Sequence, residues 1–342
     1  MNINELSIEG FSPNCLMGVT GAVAKYKYNV KNINRLYFHH SYVYEKNDKV
    51  DYNIQTGGLD VCFSRELPIS KDDFSSRLYD YYGLSHQYKK YSDFEQLIQD
   101  IDKITKNGEQ VMIEIDFYFM KKHRFYHKVH DQHMMIIYGV DFDKQCFRVC
   151  EAVFGHVDFE FTDYKNYFDV VVNNRKREIY TLTLVKKELG NQKVQPKINI
   201  LKFGEDIDKT LKNLSQDSTS KVGIGALIEF RKDFLQFIKN KEEGINNFFI
   251  PGMWVFMCDG MNCVNFINEF RNDYTDFPKG NISDIRKYCI IINRKWYYIT
   301  MALNNVNRNE LTGYKKALDD ILRTEKLLVE KLRMLRQELL SY

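Results

Sequence analysis

Hydrophobic and polar positions keep two different rhythms along this chain, and the places where the rhythm changes divide it. Cys15 to Ala24 is an apolar run whose small residues Gly18, Gly21, Ala22 and Ala24 predict a helix packed close to its neighbours. Ser70 to Tyr82 carries a helix-start signal, with Ser70 as cap and Asp72 and Asp73 in the first turn. Asp93 to Ile104 is amphipathic, with Phe94, Leu97, Ile98 and Ile101 at helical spacing. After the turn Lys106-Asn107-Gly108 the period drops to two. Gln110 to Tyr118 alternates and is rich in strand formers, and His133 to Val140 is an apolar run of buried-strand character. Asp141 to Gln145 predicts a hairpin turn, Cys146 to Val153 the returning strand, Phe159 to Tyr164 a short strand or turn, and Glu178 to Val185 a further strand.

Beyond Lys186 the pattern is helical again. Glu188 to Lys197, with Gly190 and Pro196, reads as a linker. Ile200 to Leu214, Gly223 to Asn240, a segment opened by Pro251 and running through Met253 to Phe270, and Ile282 to Ala302 follow as helices. The last helix is the clearest, with Tyr314, Leu318, Ile321, Leu328, Leu332, Leu335 and Leu339 on one stripe. Glu325 interrupts that stripe, which favours a bundle helix over a coiled-coil arm. This order predicts an α+β fold: a domain over residues 1–188 with an antiparallel sheet, then a mostly helical domain over residues 189–342. Tyr52 to Phe63 contains a Gly57-Gly58 turn before a strand-like piece, Leu59 to Phe63, and the type of Arg35 to Tyr44 stays open.

Composition narrows the function. The 342 residues are 44% hydrophobic and 28% charged, enough for a folded core in two domains of ordinary size. A net charge of only +3 leaves no electrostatic footprint for nucleic acid. No window approaches ~20 uninterrupted apolar residues, so no membrane span is expected, and Met1 to Gly10 holds no apolar leader core. The seven cysteines are odd in number, irregularly spaced and without a CxxC pair, which points to free thiols in a reducing cytoplasm.

The candidate chemistry starts at Cys15. Pro13 and Asn14 suit the loop before a helix, so Cys15 falls in its first turn, where unpaired N–H groups and the helix dipole favour thiolate. Cys62, Cys146, Cys150, Cys258, Cys263 and Cys289 sit in apolar runs and read as core. Far downstream, His133 opens a strand, so its ring is expected at the rim of the sheet as a general base. Glu151 lies on the returning strand, where it could accept the Nδ1–H of His133; Asp141 and Asp143 are alternatives for that third place. His123, His127, His130 and His133 fall within eleven residues, but no HExxH pattern is present and no metal site is expected. Asp116 and Tyr118 point toward the same region as candidate pocket residues. Lys121, Lys122, Arg124 and Lys128 offer a basic face.

An early helix-opening cysteine followed by a strand-opening histidine is the layout of papain-like thiol enzymes. Through Asn14-Cys15-Leu16, Glu114-Ile115-Asp116-x-Tyr118 and the hairpin His133…Gly139-x-Asp141, residues 10–185 resemble the N-terminal domain of the butirosin biosynthesis acyltransferase family. In its two-part plan the chain is similar to protease-like amide synthases of natural-product assembly. The resemblance implies a papain-like (C39-like) cysteine-protease fold turned to transfer. It implies an acyl group delivered by the phosphopantetheine arm of an acyl or peptidyl carrier protein, an acyl-Cys15 intermediate, and a small amine as acceptor. It implies no bound cofactor, His133 and Glu151 completing the triad, and Asn14, Asp116 and Tyr118 lining the substrate. A cysteine peptidase or amidase using the same triad is the alternative, and a homodimer stays open. Two departures stand out. Glu9 occupies the place of an oxyanion-donating Gln and cannot donate when ionised, so the Asn14 side chain or the Cys15 N–H substitutes or the hole is built elsewhere. Glu151 stands where an Asp is usual.

Overall fold

The computed structural model describes residues 3–8, 15–31, 33–36, 43–46, 61–64, 71–123, 126–128, 132–174, 178–187, 197–214, 223–240, 263–304 and 311–342. The chain divides into two compact units, one of residues 1–33 and 75–194 and one of residues 34–74 and 195–342. The expected cut after residue 188 lies near the third crossing, between residues 194 and 195. Segment 34–74 groups with the helical unit, which a single cut does not provide for. Among the described residues no helix is long and apolar enough to cross a membrane.

The first unit is α+β. Its strands are β3 (Leu84–Tyr91), β4 (Val111–Asp116), β5 (Gln132–Asp141), β6 (Cys146–Glu151), β7 (Gly155–Glu160) and β8 (Ile179–Lys186), numbered after β1 (Val43–Lys46) and β2 (Val61–Ser64) of the second unit. They form one antiparallel sheet in the order β3-β8-β4-β5-β6-β7. The β5–β6 hairpin turns through residues 142–145, with a register shift between Ile137 and Gly139.

Helices cover both faces, which is why β5 reads as a continuous apolar run. On one face lie α3 (Phe94–Lys106) and α4 (Phe161–Asp169). They share a core with Val111, Ile113, Ile115, Met135, Ile137, Phe147 and Val149. Asp93 caps α3, its carboxylate accepting the Gln96 N–H at 2.7 Å. The other face carries Met112, which takes a 3.7 Å contact from the Thr20 hydroxyl of α1 (Cys15–Tyr28). Partners in an antiparallel pair share a face, so Ile136 and Leu182, opposite Met112, face α1 as well.

Local differences from the sequence expectations have identifiable causes. Helix α1 runs on to Tyr28 because its polar last turn is anchored: Lys27 pairs with Glu109 and the Tyr28 hydroxyl donates to the Leu184 carbonyl at 2.6 Å. Strand β3 has no apolar alternation, since four consecutive residues from Gln87 to Lys90 are exposed. It is held by its backbone ladder to β8 at the sheet edge. The stretch expected as one short strand or turn at 159–164 divides at Glu160, where β7 ends and α4 begins, followed by a π turn over Val170–Asn174. Gly57-Gly58, Ser70 and residues 188–196 of the expected linker lie outside the described residues.

In the second unit β1 and β2 pair antiparallel. Its helices are α2 (Lys71–Tyr82), which straddles the boundary with the first unit, α5 (Ile200–Leu214), α6 (Gly223–Asn240), α7 over residues 263–273, α8 (Lys279–Asn304) and α9 (Leu311–Ser341). Helices α8 and α9 are antiparallel, as the pairs Lys295–Asp320 at 2.7 Å and Lys331–Asp284 at 2.8 Å show. The α9 stripe packs on Trp296, Phe230 and Phe203. Glu325 is fully buried rather than breaking the stripe, so the core side of α9 is continuous. Residues 251–262 of the helix expected from Pro251 lie outside the described residues.

Candidate functional site

The β5–β6 hairpin builds the site. Ile136 pairs with Cys150 and Ile137 with Val149, which places His133 and Glu151 as diagonal neighbours on one face. The pairing of His133 with Ile115 puts that face on the α3–α4 side. His133 Nε2 lies 2.6 Å from Glu151 Oε1. The second carboxylate oxygen, Oε2, accepts the backbone N–H of Val153 at 2.7 Å and of Phe154 at 2.9 Å. His133 is 8% exposed and Glu151 1%. Burial by itself pushes the Glu151 carboxyl up, but the His133 hydrogen bond and charge and the two backbone donors outweigh it, leaving the carboxyl below its ordinary value. An ionised carboxylate only accepts, so Nε2 of His133 donates and Nδ1 of the neutral ring keeps its lone pair.

Glu151 therefore holds His133, through Nε2 and not through the expected Nδ1. Asp141 and Asp143 do not hold it. Asp141 sits at the far end of β5 bonded to Arg148 at 2.8 Å and to the Lys144 N–H, and Asp143 lies in the exposed turn.

Helix α1 brings Cys15 toward the same end of the sheet. Its last turn is level with Glu109, before β4, and Thr20 is level with Met112. Cys15, five residues further on, is about 7.5 Å along the axis, equal to roughly two strand residues. That is the row of Glu114, Ile115 and His133. The body of α1, however, covers the Met112 face, whereas the imidazole stands on the other. Thiol and ring thus approach the rim from opposite faces, and among the described residues no hydrogen bond joins them. Cys15 is a half-buried reduced thiol. Cys146, Cys150, Cys263 and Cys289 are buried, as expected of core thiols; Cys258 and the side chain of Cys62 lie outside the described residues.

Asp116 is buried and its Oδ1 accepts the Tyr118 N–H at 2.9 Å, capping the short turn Phe117–Phe119. Tyr118 packs against Phe119 and His127. Asn14, Glu9, Arg124 and His130 lie outside the described residues. Lys121 is engaged by Glu160 at 2.8 Å and Asp163 at 2.9 Å, so its charge is already paired. Among the described residues no group of three His, Cys, Asp or Glu side chains could hold a metal ion.

Two residues of this region escaped the sequence reading as neighbours of His133. Phe117 stacks on the His133 ring at 4.5 Å, and His123, noted only within the histidine window, stacks on Phe117 at 4.0 Å. The signal was strand parity: continued alternation past Ile115 turns Phe117 to the His133 face. No known family profile matches the chain, and no curated protein matches it either.

Proposed function

We propose that the chain is a cysteine-dependent acyltransferase with a papain-like (C39-like) first domain. It takes an acyl or peptidyl group from a carrier-protein thioester through an acyl-Cys15 intermediate and passes it to a small amine as an amide. The observation that carries this reading is the buried His133–Glu151 pair, at the end of the sheet level with the N-terminal residue of α1, Cys15. A carboxylate held by two backbone N–H groups fixes the tautomer that leaves Nδ1 basic, as a general base requires.

In this reading Nδ1 takes the Cys15 proton and the thiolate attacks the thioester carbonyl. The phosphopantetheine thiol leaves with that proton. The amine then attacks the acyl-cysteine, His133 takes the amine proton, and Sγ recovers it as the C–S bond breaks and the C–N bond stands. Exchange of one thioester for another is near neutral in energy, so the site's main task is to admit the amine and exclude water. Asp116 and Tyr118 are assigned to the wall of the acyl pocket, and Asn14 to the substrate side of the thiol. The proton passes only when Sγ and Nδ1 meet at the rim.

Intact-protein mass after exposure to acyl-pantetheine and acyl-carrier thioesters tests the proposal. An acyl adduct that maps to Cys15, is absent from Cys15→Ala and is discharged to amide by amine supports it. Release of free acid at one rate with or without amine makes the chain a hydrolase, a cysteine peptidase or amidase with the same triad. Unchanged amide formation by Cys15→Ala overturns both.

A further inference from the structure

We infer that Phe117 and His123 are positioning residues that set the plane of the His133 imidazole; the inference rests on the reading of His133 as the base. The rings of Phe117 and His133 are 4.5 Å apart at 25°, and those of Phe117 and His123 are 4.0 Å apart at 7°. Two rings this close to a third cannot share one of its faces, so Phe117 lies between the histidines. His123 is itself buried at 8% exposure, and its backbone is tied into the turn: its N–H donates to the Met120 carbonyl at 2.8 Å and its carbonyl accepts the Tyr126 N–H at 2.9 Å. The Phe154 ring meets the His123 ring edge-on at 6.0 Å and 83°. The backbone N–H of Phe154 is one of the two donors that hold Glu151.

The contacts therefore close a circuit from His133 through Phe117, His123, Phe154 and Glu151 back to His133. A single hydrogen bond from Nε2 leaves the ring free to swing about that bond. A face-on aromatic contact removes that freedom, because rotation would drive the imidazole edge into the Phe117 π face. The stack thus keeps Nε2 on Glu151 and Nδ1 directed away from it, while Phe154 links the outer ring to the carboxylate. Aromatic area on both sides, rather than a charge on His123, carries the effect.

The test is NMR of the full chain labelled with ¹⁵N-histidine, which reads ring tautomer and Nε2–H exchange whether or not the chain transfers acyl groups. Wild type is expected to show a protected, downfield Nε2–H on His133. Phe117→Tyr and His123→Phe keep the planes and should preserve it. Phe117→Leu and His123→Leu should speed its exchange about fivefold or more, the factor that corresponds to an aromatic contact. Equal exchange in the Leu variants and wild type overturns the inference, as does loss in His123→Phe. If Phe117→Leu does not fold, His123→Leu, on the outer side of the stack, decides alone. Failure of acyl labelling with these shifts intact would sink the functional reading and leave the stack standing.

Discussion

Replacing Glu151 with Gln probes the site most directly. Three donors converge on its carboxylate: His133 Nε2–H, Val153 N–H and Phe154 N–H. Glutamine keeps the shape but offers one carbonyl oxygen. With that oxygen on the two backbone donors, its amide N–H faces the imidazole, and the ring must switch tautomer so that Nε2 accepts. The proton then sits on Nδ1, and the lone pair that would take the thiol proton is gone. A charge-assisted bond of ~1.5–3 kcal/mol becomes a neutral one of ~0.5–1.5, a loss of about 1–2 kcal/mol. Glu151→Ala instead strands the donors and should cost ~1–3 kcal/mol for each that stays buried without a partner. The folded carboxyl lies below its ordinary value, so its stabilisation is fully present above about pH 4.3 and is lost as pH falls through the folded value. The gap between wild type and Glu151→Gln should therefore narrow in acid. Hydrogen exchange at the Val153 and Phe154 amides reads that gap. A gap that stays constant from neutral pH down to pH 3, or Glu151→Ala exchange no faster than wild type, refutes the reasoning.

Further outcomes follow from single contacts. Asp93→Ala removes the α3 cap bond to the Gln96 N–H and should cost about 1 kcal/mol in urea unfolding followed by circular dichroism. Tyr164→Phe deletes the fully buried hydroxyl that donates to the Glu114 carbonyl at 3.1 Å, and should cost ~1 kcal/mol in the same assay while leaving the ring packing unchanged. Burial pushes the Cys150 thiol up to about 11, so alkylation mapped by mass spectrometry near pH 8 should modify Cys15 and spare Cys150 until the sheet unfolds. Cys150 modified as fast as Cys15 would contradict that burial.

The sequence by itself determined the antiparallel hairpin and its turn, and offered Glu151 beside Asp141 and Asp143 as partners of His133. The meeting itself was decided by the register shift between Ile137 and Gly139: the pairing at the turn end, carried on unshifted, would set Glu151 opposite Ile136, on the other face from His133. The sequence also determined the α9 stripe, through apolar residues at helical period. Only the tertiary structure decided which face α1 covers, because β5 is apolar on both sides and its pattern carries no label for either. Likewise β3 is polar and its strand identity comes from the neighbour it pairs with, Glu325 is buried because the bundle closes over it, and Phe117 stacks between His133 and His123 only once the loop after β4 folds back. Local pattern fixes what a segment can form; which nitrogen of His133 meets Glu151, and where Cys15 stands relative to them, depends on contacts between residues far apart in the chain, which no local period encodes.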